Sequence, residues 1–253
     1  MSALQALIRN DLHLHRQKRA HRSSARGFSF AAMLIVFAAV TWGIYQGRVS
    51  LNSGFMLWLT PVFLLIQVIV SFALITIEWR SGTAGWWLSL PYSREMLVGS
   101  KTVASFLVSV QSYLLVLGVS SFFMIEAVLI RPDQYSYEIL WSYLKISGLG
   151  TLWYLCLSPV AALSGTLLGV VVKSRWKKAV PLFLVGVWFL GNALVPWGIL
   201  VGLNNMTNMK FPPAYSFLDN YGIMAALILV VPAVVSYGLY RLSAYVLEDK
   251  VEL

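Results

Sequence analysis

The chain has 253 residues, of which 58% are hydrophobic and only 11% are charged, and it carries a formal net charge of +9. Because about a quarter of the residues of an ordinary soluble domain are charged, this composition excludes such a domain and indicates an integral membrane protein. The single cysteine excludes a disulfide framework, and basic residues at the ends of uncharged runs indicate membrane orientation rather than nucleic-acid binding.

Residues 1–27 predict an amphipathic helix on the membrane surface, followed by a basic flank. Leu4, Leu7 and Ile8 fall on one helical face, and the polar residues that follow them lie off it. The basic residues of 15–26 are typical of a segment that contacts lipid headgroups. The histidines of this segment are not spaced as ligands on one helical face, so no metal site is expected.

Six uncharged runs are long enough to cross a bilayer, since about 20 apolar residues suffice. They are 27–47, 49–77, 102–125, 146–172, 179–209 and 220–240. If the N-terminus is cytoplasmic, 15 of the 19 Lys and Arg residues fall in inner segments, which predicts that both termini are inside. The expected fold class is all-α: a polytopic membrane protein of six transmembrane helices that forms a single domain over residues 1–253.

Two of the predicted spans carry further features. Gly165 and Gly169, preceded by Ala161, have the spacing of small residues that predicts close helix packing of the fourth span. Pro196 interrupts the fifth run, which exceeds the length that one span needs. This interruption predicts a re-entrant segment before the sixth span, and one long tilted helix is the alternative.

Residues 78–101 form a polar, turn-rich insert between the second and third spans. Pro91 ends any helix that arrives from the N-terminal side, Ser93 can cap a new helix, and Glu95 lies in the favoured first turn. We therefore expect a helix that starts near Ser93 and leads into the third span. Gly85 is expected to loosen the chain before it.

This insert resembles the corresponding segment of permease subunits of the type-2 ABC transporter family. The resemblance lies in an acid at the end of the second span, a Gly-Thr pair, the pattern Leu-Pro-x-Ser-Arg and a lysine that opens the third span. It implies that residues 78–101 face the cytoplasm as a coupling helix that docks on an ATPase subunit. It also implies short re-entrant or external helices between spans five and six. The residues expected to couple to the ATPase are Glu78, Arg80, Pro91, Ser93, Arg94, Glu95, Met96 and Leu97.

Within that set, Glu78 is expected to pair with Arg80 or with a basic group of the partner. Met96 and Leu97 are expected to offer apolar area to the ATPase. Arg94 and Glu95, which precede them, are expected to offer charge-assisted contacts.

No constellation within the spans predicts catalysis, so neither a catalytic residue nor enzymatic activity is expected of this chain. Polar side chains at membrane depth are few and include Gln67, Glu126 and Asn192. Glu126 is expected either to form an interfacial ion pair with Arg131 or to belong, with Asn192 and Pro196, to an external gate. A phosphate-binding loop of full spacing is absent from the sequence, so ATP and Mg are expected to be bound by the partner ATPase.

The combined expectation is a permease subunit in a bacterial cytoplasmic membrane, together with a second permease, identical or related, and two copies of the ATPase. Mostly apolar spans favour export of a hydrophobic or amphipathic cargo such as a lipid, peptide or drug. The alternative is a membrane-embedded accessory, sensor or immunity subunit that binds a peptide or regulatory partner without transporting. An ion-driven secondary transporter is disfavoured, because the spans contain one peripheral acid and no evident repeat.

Overall fold

A computed structural model describes residues 7–8, 37–47, 55–182, 185–186 and 222–249, and it includes the side chains of all but 55–58, 222–229 and 249. The regular structure in these ranges is helical, with no β-strand. The helices are α1 (37–45), α2 (Phe55–Arg80), α3 (Ala84–Ser89), α4 (Arg94–Ile130), α5 (Tyr137–Val172), a 3-10 helix (Arg175–Ala179) and α6 (Gly222–Asp249).

Four helices are long and apolar enough to cross a membrane. These segments are Leu59–Arg80 in α2, all of α4, all of α5, and Val230–Glu248 in α6. They coincide with the second, third, fourth and sixth predicted spans, so the all-α fold class is confirmed for the part of the chain that the structure describes, and the count of six spans stays a prediction. Helix α1 falls in the first predicted span, and short helical pieces at 180–182 and 185–186 fall in the fifth. The predicted re-entrant segment, and all of the N-terminal helix except residues 7–8, lie outside the described residues.

Helices α4 and α5 begin where their sequences provide a capping residue. The Ser93 hydroxyl accepts a hydrogen bond from the backbone N–H of Met96 (3.3 Å), as predicted, and Glu95 lies in the first turn. The Ser136 hydroxyl accepts in the same way from Ile139 (3.4 Å). With 37 and 36 residues, the two helices are each about 55 Å long and exceed the thickness of a hydrocarbon core.

Helix α5 lies at the centre of the bundle and packs against α2, α4 and α6. Its closest approach is to α2, where a Cβ atom on Gly165 would come within 2.2 Å of the Val68 carbonyl oxygen. A Cβ atom on Gly169 would lie 2.7 Å from the Cβ atom of Ile75. The predicted close packing of the fourth span is therefore confirmed, and α2 is the helix that packs against these glycines.

Two apolar clusters lie at opposite ends of the bundle. We call the end that carries residues 81–93 the loop end and the opposite end the far end. The loop-end cluster contains Ile75, Trp87, Leu88, Leu97, Val98, Leu167, Val170, Val171, Val246 and Leu247. The far-end cluster contains Ile44, Phe63, Tyr113, Met124, Ala127, Val128, Tyr135, Tyr143 and Tyr154.

The positions of these clusters agree with the predicted grouping of inner and outer segments. Leu7 packs against the loop-end cluster, as do Val180 and the C-terminal part of α6. The turn between α4 and α5 packs into the far-end cluster through Tyr135. Segments predicted to share the cytoplasmic side therefore share the loop end, because they pack into one cluster. The assignment of that end to the cytoplasm stays a prediction based on the distribution of Lys and Arg.

Candidate functional site

Glu78 organises the turn that follows α2. Its carboxylate accepts a hydrogen bond from the Thr83 hydroxyl (2.6 Å), and its carbonyl oxygen accepts from the Thr83 backbone N–H (3.0 Å). Between them, Gly82 has a φ of 72°, a left-handed conformation that glycine adopts without steric cost. Gly82 and Thr83 therefore form the turn that reverses the chain at the end of α2.

The same carboxylate forms a buried ion pair with Lys101 of α4. The Lys101 Nζ atom lies 2.5 Å from Glu78 Oε1, and the two side chains are 3% and 9% exposed. This finding replaces the expected pairing of Glu78 with Arg80 or a partner, since Arg80 is exposed at the end of α2. Lys101 also lies 5.6 Å from the centre of the Trp87 ring, within the range of a cation–π contact. The pair therefore connects α2, α4 and the insert.

Helix α3 was not predicted, because Gly85 was expected to loosen the chain and instead lies inside this helix. Its two tryptophans face opposite environments. Trp87 is 3% exposed and makes an edge-to-face contact with Trp79, with ring centres 6.0 Å apart. Trp86 is 62% exposed. Helix α3 therefore uses one tryptophan to anchor itself and presents the other on the surface of the loop end.

The first turn of α4 is held by contacts within the chain. Arg94 donates a hydrogen bond to the Leu88 carbonyl oxygen (2.6 Å), and Glu95 forms an ion pair with Arg241 of α6. The Tyr240 hydroxyl also donates to the backbone carbonyl oxygen of Glu95 (2.9 Å). These contacts fix α4 and α6 to each other at the loop end.

The predicted apolar contact residues differ in their exposure. Leu97 is fully buried in the loop-end cluster, at 0% exposure, so its side chain cannot offer area to a partner in this arrangement. The physical reason is that Leu97 lies on the same face of α4 as Lys101, one helical turn away, and this face packs on α2. Met96 is partly buried, whereas Pro91 and Ser93 are exposed.

A groove with a volume of about 770 Å³ lies between the insert and α6. Its walls combine leucine and tyrosine side chains with two charges from each side. The lining residues are Leu88, Leu90, Tyr92, Ser93, Arg94, Glu95, Arg241, Leu242, Ala244, Tyr245 and Glu248. Such a mixture of apolar and charged groups at the rim of a helical bundle suits a protein partner better than a lipid tail.

At the far end, Glu126 accepts a hydrogen bond from the Thr41 hydroxyl of α1 (3.3 Å). It does not form the expected ion pair with Arg131 among the described residues, and Arg131 instead lies against Gly47 and donates to the Gln134 side chain (3.3 Å). The other predicted gate residues, Asn192 and Pro196, lie outside the described residues.

The aromatic residues of 135–143 lead into and begin α5, so this helix starts before the fourth predicted span. The buried hydroxyl of Tyr143 lies 2.6 Å from the Ser120 hydroxyl of α4.

Within the described ranges, no group of three or more His, Cys, Asp or Glu residues is placed to hold a metal ion. The chain matches no protein-family model, no curated protein and no solved structure. The resemblance of residues 78–101 to ABC permeases therefore rests on that segment and on the layout of the spans.

Proposed function

We propose that the chain is the permease subunit of a bacterial ABC transporter that exports a hydrophobic or amphipathic cargo. A second permease and two copies of a separate ATPase complete the complex, and the ATPase docks on the loop end, which faces the cytoplasm. The observation that carries this proposal is that residues 81–93 of the insert are ordered and exposed on one side. On the other side they are held by the hydrogen bonds of Thr83 to Glu78 and of Arg94 to Leu88, and Trp87 and Leu88 pack in the loop-end cluster with residues of α6.

The fastening gives the insert the mechanical property that coupling requires. The Glu78–Lys101 pair joins α2 to α4, and the Thr83 hydroxyl binds the same carboxylate. The hydrogen bond from Arg94 to the Leu88 carbonyl fixes the end of α3 to the start of α4. A displacement imposed on α3 is therefore passed to the membrane helices instead of being absorbed by a loose loop. Rigid-body motion of packed helices is the usual way in which such a displacement changes access to a pathway.

The exposed face of the insert has the composition of a docking surface. Trp86 offers a large ring, Pro91 a rigid apolar contact, and the adjoining groove two charges from each wall. Tryptophan is enriched among the residues that dominate binding energy at protein interfaces. We therefore revise the expected contact residues: Pro91 stays in the set and Trp86 replaces Leu97, while the Glu78–Lys101 pair supports the surface from within.

The test compares two tryptophans of nearly equal exposure at opposite ends of the bundle. Trp86 is 62% exposed at the loop end, and Trp141 is 60% exposed near the start of α5 at the far end. The affinity-tagged chain is purified from its native membranes in mild detergent, and ATP hydrolysis and the associated subunits are measured. Trp86→Ala should lose the ATPase subunit because a central aromatic contact typically contributes 2 kcal/mol or more, roughly, to binding. Trp141→Ala should retain it.

Three outcomes would contradict the proposal. A wild-type complex without an ATPase subunit, purified with a peptide or regulatory partner, would favour the accessory or sensor function. Equal loss of the ATPase in Trp86→Ala and Trp141→Ala would show that neither tryptophan defines the docking surface. Full retention in both variants would place docking elsewhere.

A further inference from the structure

The interior of the bundle contains polar groups that the described side chains and backbone do not satisfy. Gln67 of α2 is 0% exposed, and neither its Nε2 nor its Oε1 atom has a hydrogen-bond partner among the described residues. A buried amide that makes no hydrogen bond is strongly unfavourable in an apolar interior, and such groups in native proteins are usually bonded to protein or to ordered water. Gln67 therefore requires an explanation.

The register of α2 against α4 places a second polar group at the same level. The two helices run antiparallel, and Ser71 donates a hydrogen bond to Ser105 across them (2.8 Å). Gln67 on α2 and Ser109 on α4 each lie one helical turn from this contact, toward the far end. Ser109 is 2% exposed, and its hydroxyl has no hydrogen-bond partner of ordinary geometry among the described residues.

A third group comes from α5. The hydroxyl of Tyr154, a fully buried residue, lies beside Ser109 but also lacks a hydrogen bond of ordinary geometry within the described part of the chain. The Tyr154 ring stacks on Tyr113 with centres 4.3 Å apart, and Phe63 packs against both rings, which closes the region toward the far end. The Ser71–Ser105 hydrogen bond lies one turn away, on the side toward the loop end.

We propose that Gln67, Ser109 and Tyr154 bind one or more water molecules inside the bundle. Water suits this set because a buried water makes two to four hydrogen bonds, roughly, and the three side chains offer an amide donor, a carbonyl acceptor and two hydroxyls. None of the three side chains is charged, so the set does not suit an inorganic ion, which requires charge compensation at this depth. The inference does not depend on the proposed function.

The experiment measures magnetisation transfer from water to glutamine side chains by solid-state NMR. The full-length chain is reconstituted in lipid bilayers with ¹⁵N-labelled glutamine, and Gln67 is identified without mutation, because Ile66–Gln67 is the only Ile-Gln pair in the sequence. Gln134, exposed in the turn between α4 and α5, is the hydrated reference, and Gln111, exposed on α4, is the reference for a side chain that faces the bilayer.

A bound water predicts transfer to the Gln67 side chain above the level of Gln111. Absence of that transfer, at mixing times at which Gln134 has reached its plateau, would overturn the proposal.

A pair of serine variants tests the geometry. Ser109→Ala should reduce the transfer to Gln67, whereas Ser112→Ala should leave it unchanged, because Ser112 is exposed on α4 and its hydroxyl already donates to the Val108 carbonyl oxygen (2.9 Å). Equal transfer in both variants would remove Ser109 from the site. If Ser109→Ala does not fold, the wild-type measurement alone decides whether Gln67 is hydrated.

Discussion

Replacing Lys101 by methionine should lower the free energy of unfolding by about 3–5 kcal/mol, the range measured when one partner of a buried ion pair is removed. The structure places this pair in that class, because the Lys101 side chain is 3% exposed and that of Glu78 is 9% exposed. After the substitution, the hydrogen bond from Thr83 remains for the Glu78 carboxylate, but its charge is no longer balanced by the lysine. Methionine keeps most of the length of the lysine side chain, so the loss reports charge more than packing.

A second ion pair at the loop end provides the matched control. Arg241 and Glu95 also connect two helices, but their side chains are 58% and 43% exposed. Exposed pairs contribute about 0–1 kcal/mol because water screens the charges. Arg241→Met should therefore cost about 1 kcal/mol or less, several-fold below the cost of Lys101→Met.

The assay is unfolding of the purified chain in mixed micelles as the fraction of denaturing detergent increases, followed by circular dichroism. A double variant, Glu78→Gln with Lys101→Met, separates the ion pair from its surroundings. It should be more stable than Lys101→Met alone, because it leaves no unbalanced buried charge. The assignment of a coupled buried pair would be refuted if Lys101→Met and Arg241→Met lowered the free energy of unfolding equally. It would also be refuted if the cost of the double variant equalled the sum of the costs of Lys101→Met and Glu78→Gln.

Two further predictions concern packing and orientation. Gly165→Ala should destabilise the chain by about 1–3 kcal/mol because the added Cβ atom meets the α2 backbone. Gly148→Ala, also in α5 but with open space around its Cβ position, should be neutral or slightly stabilising. Equal effects of the two variants in detergent unfolding would argue against a tight α2–α5 contact. In a Cys156→Ala background, Asp133→Cys should react with an impermeant thiol reagent in intact cells, because Asp133 is exposed in a predicted outer segment. Lys177→Cys, at an exposed position in a predicted inner segment, should react only after lysis. The reverse pattern would invert the topology.

The parts of the fold that the sequence predicts are those set by local chemistry. Uncharged runs identify the described membrane helices, and Ser93 followed by Glu95 identifies the start of α4, because capping depends on neighbours in sequence. The extent of α5 was not predicted, since aromatic residues at an interface look alike whether their helix lies on the membrane or crosses it. Helix α3 was also missed, because the helical position of Gly85 depends on the anchoring of Trp87 in the core.

The site was predicted by segment but not by contact. Glu78 and Lys101 are 23 positions apart, and the sequence shows no local pattern that joins them. A usable signal was present, since an acid at the end of one span and a base at the start of the next lie at similar depth and stabilise each other where water is scarce. Leu97 was misplaced because its orientation depends on which face of α4 meets α2.

The contact between α2 and α4 changes in character along its length. Toward the far end it consists of rings, with Phe63 and Tyr113 at 5.2 Å. Toward the loop end the Ser71–Ser105 hydrogen bond and the Glu78–Lys101 pair are added to the apolar packing of the loop-end cluster. Hydroxyls and charges can exchange protein partners for water, whereas separated rings lose their packing without compensation.

A force applied to residues 81–93 would act first on the loop end of this contact, because Thr83 and Leu88 are hydrogen-bonded there to Glu78 and Arg94, and the aromatic contact lies farthest from it. Within the proposed function, we expect a motion at this end to connect docking of an ATPase to a change of access to the pathway. On this proposal, the buried Glu78–Lys101 pair belongs to the contact on which the ATPase would act, so Lys101→Met should change coupling as well as stability.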